Sequence, residues 1–194
     1  MMRRCRTWYL GPLVALSWTA GCAHAAQVLG VTVIRENERF LIDMRIRIAA
    51  PPPAVFRALE DYAAMPRYNP DLRAVRVEPT GVPGHVRLFT TIHTCVLVFC
   101  RTMHQEEIMA ATTNAWGGIL RAQLVARGGS FKEGRGRWTV RACPEERGAS
   151  CLDVSLELVP AFWVPPVIGP WVMRSKMQEE ARRTSLGLEQ MALR

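Results

Sequence analysis

The sequence predicts an α+β domain in which a curved antiparallel sheet of about seven strands wraps around one long C-terminal helix. Three observations carry that expectation. Apolar and polar residues alternate with period two through much of residues 40–158, so most strands have one dry and one wet face. A proline triplet, Pro51–Pro53, opens a short helical stretch directly after the first main strand. The closing segment Pro166–Ala192 has an apolar stripe at helical spacing through Met173, Met177, Ala181, Thr184, Leu188 and Met191. One amphipathic helix laid on a one-sided sheet completes two layers around a single core.

The first 25 residues are set apart from that domain. Arg3, Arg4 and Arg6 form a basic start, Trp8–Ala20 is uncharged and mostly apolar, and Ala23-His24-Ala25 offers small residues to a signal peptidase. The apolar run is shorter than the roughly 20 residues that span a bilayer. Residues 1–25 are therefore expected to be an export signal. Thr19-Ala20-Gly21-Cys22 offers a second exit, a lipoprotein signal over 1–21 with lipidation of Cys22. Both routes predict an exported, periplasmic protein, free or tethered to a membrane. The full chain carries 25 Lys+Arg against 17 Asp+Glu, a net +8, and losing the three leader arginines leaves +5. That excess suits anionic headgroups or acidic partners, while arginines scattered along strands argue against nucleic acid. Residues 26–194 fit one domain with one core, expected to act as a monomer.

The elements follow in order. Val28–Ile34 is a candidate first strand. In Phe40–Ile48, Ile42, Met44, Ile46 and Ile48 alternate with Asp43, Arg45 and Arg47. The helix after Pro51 carries Val55, Phe56, Leu59 and Tyr62, followed by the broken stretch Met65–Asp71 and a strand at Val75–Val77. Strands are expected at His85–Cys95, Cys100–Met109, Gly118–Val125 and Ser130–Cys143. Gly81–Gly84, Thr112–Asn114 and Gly128-Gly129 mark the turns. Leu152, Val154, Leu156 and Leu158 form the dry face of the last strand.

Four cysteines remain beyond the leader, and four permit three connectivities. Spacing favours local pairs: Cys143 and Cys151 flank a polar turn, and Cys95 and Cys100 flank Val96–Phe99. Each such short loop contributes roughly 2–3 kcal/mol in the chain-entropy picture. His93-x-Cys95-x4-Cys100-x3-His104 also has the ligand types of a zinc site, but an oxidising compartment favours disulfides. No metal and no cofactor are implied.

The stretch Arg39–Glu78, with its proline-started helix, Asp61-Tyr62 and Arg67-Tyr-Asn-Pro-Asp71, resembles the START-related helix-grip (SRPBCC-like) superfamily. The similarity is to its polyketide cyclase/dehydrase and coenzyme-Q-binding branch, and it covers nearly all of residues 26–194. The resemblance implies a cavity between sheet and C-terminal helix that holds a lipid, isoprenoid, quinone or polyketide. The expected lining is Met44, Ile46, Trp138, Val154, Leu156, Met173 and Met177.

Strand parity predicts where such a cavity opens. The Cys95–Cys100 turn, the Gly128-Gly129 turn, the exit Ala161–Pro170 and the Tyr68–Pro70 stretch should share one end. That end is rich in apolar residues, and Arg67, Tyr68, Asn69, Leu97, Phe99, Phe162, Trp163 and Ile168 are expected at its mouth. Hydrophobic turn tips are uncommon unless something covers them, so a peripheral membrane contact is expected. The alternative is that Phe162 and Trp163 cap the sheet under the helix. An enzyme of cyclase or dehydratase type would need a polar group inside. By parity either His104 with Glu106, or Met103 with Gln105, points inward, making His104 and Glu106 the candidate catalytic pair. A filled core with a structural or partner-binding role is the third reading. An exported carrier of a hydrophobic small molecule is the first.

Overall fold

The computed structural model describes residues 25–96, 99–125, 129–164 and 169–194. Residues 1–24, all of the expected leader but Ala25, lie outside the described residues, as do Leu97 and Ile168. Eight strands form one antiparallel sheet: β1 (Gln27–Glu36), β2 (Arg39–Ile48), β3 (Leu72–Pro79), β4 (His85–Val96), β5 (Phe99–Asn114), β6 (Gly117–Leu124), β7 (Phe131–Ala142) and β8 (Ser150–Pro160). Their spatial order is β1-β2-β8-β7-β6-β5-β4-β3. The candidate first strand is real and brings the number to eight. Register shifts at Val28/Gly30, Leu72/Ala74 and Phe131/Glu133 bend the strands, because a bulge increases local twist and curvature.

The register fixes which side chains face inward. Cross-strand partners share a face, so one row runs Val28, Ile46, Leu152, Val140 and Gly118 across five strands. Helix α1 (Pro52–Glu60) covers this row. Pro52 sits in its first turn, where the missing N–H costs no helical bond. Val55, Phe56, Ala58 and Leu59 are its buried face. The Phe56 ring lies on Gly118, where a Cβ would come within 2.5 Å of it. Burying each of Val55, Phe56 and Leu59 contributes roughly 1.5–3 kcal/mol. A 3-10 turn (Tyr62–Ala64) and the single-turn α2 (Met65–Tyr68) then lead into β3.

Helix α3 (Gly169–Ala192) packs mainly against β1, β2, α1 and α2. Its second half is tightly seated: Ala181, Ser185 and Leu188 are buried, and Glu189 accepts the Ala49 N–H at 2.8 Å. Among the described residues no helix is long and apolar enough to cross a membrane. The wet face carries a ladder of ion pairs: Arg39 and Arg135 with Glu157, Arg45 and Arg141 with Asp153, and Arg87 with Glu106. Both local disulfides, Cys95–Cys100 and Cys143–Cys151, are formed.

Candidate functional site

The inward face of the sheet is closely packed around α1 and less completely covered farther along, although Phe40, Ile42 and Leu124 are buried there too. Around α1, the inward residues Ile46, Ile48, Leu88, Met109, Leu120, Val140, Leu152 and Val154 are buried in one cluster. Farther along the same strands, Met44, Leu156, Leu158 and Trp138 face inward yet keep accessible surface. So do Ile92, Met103, Gln105 and Glu107 on β4 and β5. Met44, Trp138 and Leu156 pack against the core cluster on one side and are left incompletely covered on the other. Because α3 packs on β1 and β2, these residues form the part of the inward face that the helix covers least, and they are the candidate floor of a groove between helix and sheet.

Glycines shape that floor. A Cβ at Gly136 would meet the Trp138 ring at 2.6 Å and Leu156 at 3.1 Å, so the edge of the indole occupies the space that a side chain there would fill. Gly134 accommodates Leu158 at 3.1 Å in the same way. On the helix side, Met173, Lys176, Met177, Glu180 and Thr184 are partly exposed. Of the expected lining residues, Met44, Trp138, Leu156, Met173 and Met177 are partly accessible. Ile46 and Val154, at 4% and 3% exposure, belong to the packed core instead.

Polar groups sit at two places inside. Lys176 of α3 pairs with Asp71 at 2.9 Å, with both side chains largely buried. Burial alone would raise the Asp71 carboxyl. The Thr94 hydroxyl, which lies against it without reaching hydrogen-bond geometry, and the Lys176 ammonium more than offset this and hold it below the usual carboxylate range. Burial, with Asp71 adding repulsion, raises Glu180; its Oε2 has no partner among the described residues. The second place is Glu107 on β5. Its carboxyl faces inward between Leu88 and Leu124 and is pushed up to about 7 by burial. Thr90, 5% exposed, also faces the interior, and its Oγ1 is unpaired among the described residues.

The expected catalytic pair lies on the other face. Glu106 pairs with Arg87 at 3.0 Å, and His104 Nδ1 lies 3.2 Å from the Thr91 hydroxyl, both on the wet surface. The reason is register: Leu88 and Met109 must face the core, which turns Met103, Gln105 and Glu107 inward and their neighbours out. The sequence reading passed over Glu107, although its pairing with Leu88 follows from the same parity. His93 lies near the Cys95–Cys100 disulfide, its Nε2 4.0 Å from Cys95 Sγ. Those sulfurs are bonded to each other and offer no thiolate to a metal.

At the expected mouth the residues separate. Arg101 stacks on the Phe162 ring 4.2 Å from its centroid, and Phe131 meets the same ring edge-on at 6.3 Å. Phe162 therefore caps the sheet. Trp163 projects outward at 78% exposure and Trp171, in the first turn of α3, at 70%. Beside Trp163 a recess of about 190 Å³ includes Arg35, Phe40 and Val164 in its wall. Phe99 belongs to β5 by its backbone. Tyr68 is a correction: it is a core residue, 4% exposed, and its backbone touches Gly187 of α3, where a Cβ would lie only 2.7 Å away. Asn69 closes a turn by accepting the Asp71 N–H at 3.1 Å, and Arg67 is exposed.

Residues 39–190 match the family model described as polyketide cyclase / dehydrase and lipid transport. Solved structures with the same architecture include the Zhui aromatase/cyclase of a Streptomyces species, 12% identical with a TM-score of 0.62, covering 80% of this chain and 96% of that one. A STAR-related lipid transfer protein of Xanthomonas axonopodis is 12% identical, with a TM-score of 0.58 over 85% and 99% of the two chains. A START superfamily protein of Mycobacterium smegmatis is 17% identical, with a TM-score of 0.55 over 78% and 98%. At these identities the likeness establishes the fold. A search of curated proteins finds no significant match.

Proposed function

Because the chain belongs to the polyketide cyclase/dehydrase and lipid-transport family, we propose that it is an exported protein that holds a hydrophobic small molecule in the groove between sheet and α3. In this reading it carries or presents that molecule near a membrane. One observation supports it above the others: several inward-facing apolar side chains, Met44, Trp138, Leu156 and Leu158, keep partial accessibility between buried neighbours such as Val154 and Ile42. An ordinary core buries such residues, as this one does around Leu88 and Ile48. Covering the exposed strip with an apolar ligand gains roughly 25 cal/mol per Å². Methionines on both walls suit a cargo of irregular shape.

Export rests on the leader, and the two disulfides fit an oxidising compartment. The cyclase reading is less well supported, because its acid–base pair lies on the wet face. Filling the groove is the direct test. The double variant Met44→Trp, Leu156→Trp should keep its circular dichroism and lose at least tenfold in affinity for a fluorescent apolar dye. Unchanged dye affinity in a folded variant would place binding elsewhere and defeat the proposal.

A further inference from the structure

The groove's polar groups on β4 and β5 have no assigned purpose. Thr90 lies directly opposite Gln105 across the two strands, and Glu107 follows two residues on along the same face, about 7 Å away. Around them stand Leu88, Leu124 and Met109, all buried and apolar. The Thr90 hydroxyl is buried with no hydrogen-bond partner among the described residues, and the Glu107 side chain beside it is partly exposed on the same face. Buried polar groups are normally paired, and leaving them unpaired is costly. An unpaired buried hydroxyl beside a partly accessible carboxyl and amide on the inward face leaves room for the polar atom of a ligand.

We propose that Glu107, with Thr90 and Gln105, receives the polar head of a neutral amphiphile, an alcohol or ketone oxygen on an otherwise apolar body. This rests on the carriage reading above and narrows its cargo. The argument is one of charge. Among the described residues the other charged groups toward the interior are Asp71, Lys176 and Glu180, joined in a separate cluster beside α3. The Tyr62 and Tyr68 phenols lie near α1 and α2. Arg101 is six residues nearer the mouth, about 20 Å along the strand, and held on Phe162. None of them sets the charge of Glu107, which burial alone pushes up to about 7.

At neutral pH and below, the carboxyl therefore keeps its proton in much of the population. A protonated carboxyl gives one hydrogen bond and receives others, and a threonine hydroxyl does the same. That pattern complements a hydroxyl or carbonyl oxygen. A carboxylate or phosphate head would arrive without a counter-cation and is excluded by its desolvation cost.

The test uses one tail with three heads: hexadecanol, hexadecanoate and hexadecylamine, each displacing the apolar dye, with hexadecane as the headless control. Wild-type protein at pH 6 should bind hexadecanol at least tenfold more tightly than hexadecanoate, and that preference should widen above pH 7, where the ionised Glu107 repels the carboxylate head but still accepts from the alcohol. Glu107→Gln, which still donates and accepts, should keep the alcohol preference and lose its pH dependence. Glu107→Leu should lose it while binding dye and hexadecane normally. Equal affinity for all heads, or no effect of Glu107→Leu, overturns the head-group assignment and leaves carriage standing. An amine preference abolished in Glu107→Gln overturns it in favour of a cationic cargo. If neither dye nor any probe binds the wild type, the carriage reading fails and takes this inference with it.

Discussion

Glu107 has an energetic signature of its own. Burial raises its carboxyl from 4.5 to about 7, so the folded protein keeps a proton that the unfolded chain releases. Below pH 4.5 both states are protonated and the residue costs nothing. As pH rises toward 7 the unfolded state gains, and stability falls by about 3 kcal/mol from this group. Glu180 shifts in the same direction, so the comparison needs a variant. Glu107→Gln should be more stable than wild type at pH 8, equally stable at pH 4, and should show a shallower fall between them. Urea denaturation at a series of pH values reads this out, and parallel curves would contradict it. Gly187 is the second informative residue. Any Cβ there meets the Tyr68 backbone at 2.7 Å, so Gly187→Ala should cost about 1–3 kcal/mol by lifting α2 off α3. A thermal melt unchanged from wild type would refute that close approach.

At the scale of elements, α3 is unevenly fastened. Its second half is buried and hydrogen-bonded to the end of β2. Its first half carries two half-exposed methionines and is tied to the sheet through Lys176 and Asp71. Asp71→Asn should cost about 2 kcal/mol, less than breaking a fully buried pair because both side chains keep some solvent. It should also speed amide exchange in the first half of α3 before the second. Uniform exchange along the helix would contradict this. Most elements were legible because their dry faces alternate cleanly, as in β2 and β8. The strand that matters most for the groove was not. In β5, His104 and Glu106 on one face and Gln105 and Glu107 on the other give neither side a clean apolar period. The face became readable only through its partner strand, where Leu88 must be inside. Tyr68 was misplaced because sequence gives no sign of the hollow that Gly187 leaves for it.

For the whole molecule, polarity runs along the sheet. One end has the exposed Trp163 and Trp171 with Arg35, Arg101 and Lys132 around them, and the Cys95–Cys100 turn shares it. The accessible inward side chains lie in the same half as these tryptophans, while α1 closes the other half. Exposed tryptophans beside cations suit the interface of an anionic bilayer. Trp163→Ser with Trp171→Ser should weaken sedimentation with anionic vesicles at least fivefold and leave dye binding in the groove unchanged. Loss of both together would mean that the tryptophans belong to the groove itself. The most direct test of the central claim is native mass spectrometry, with lipid extraction, of protein purified from an oxidising periplasm. The account predicts one co-purifying neutral hydrophobic molecule per chain, two intact disulfides, and release of that molecule from the groove-filled variant. A clean apo mass, with no uptake from a neutral lipid mixture, would contradict it.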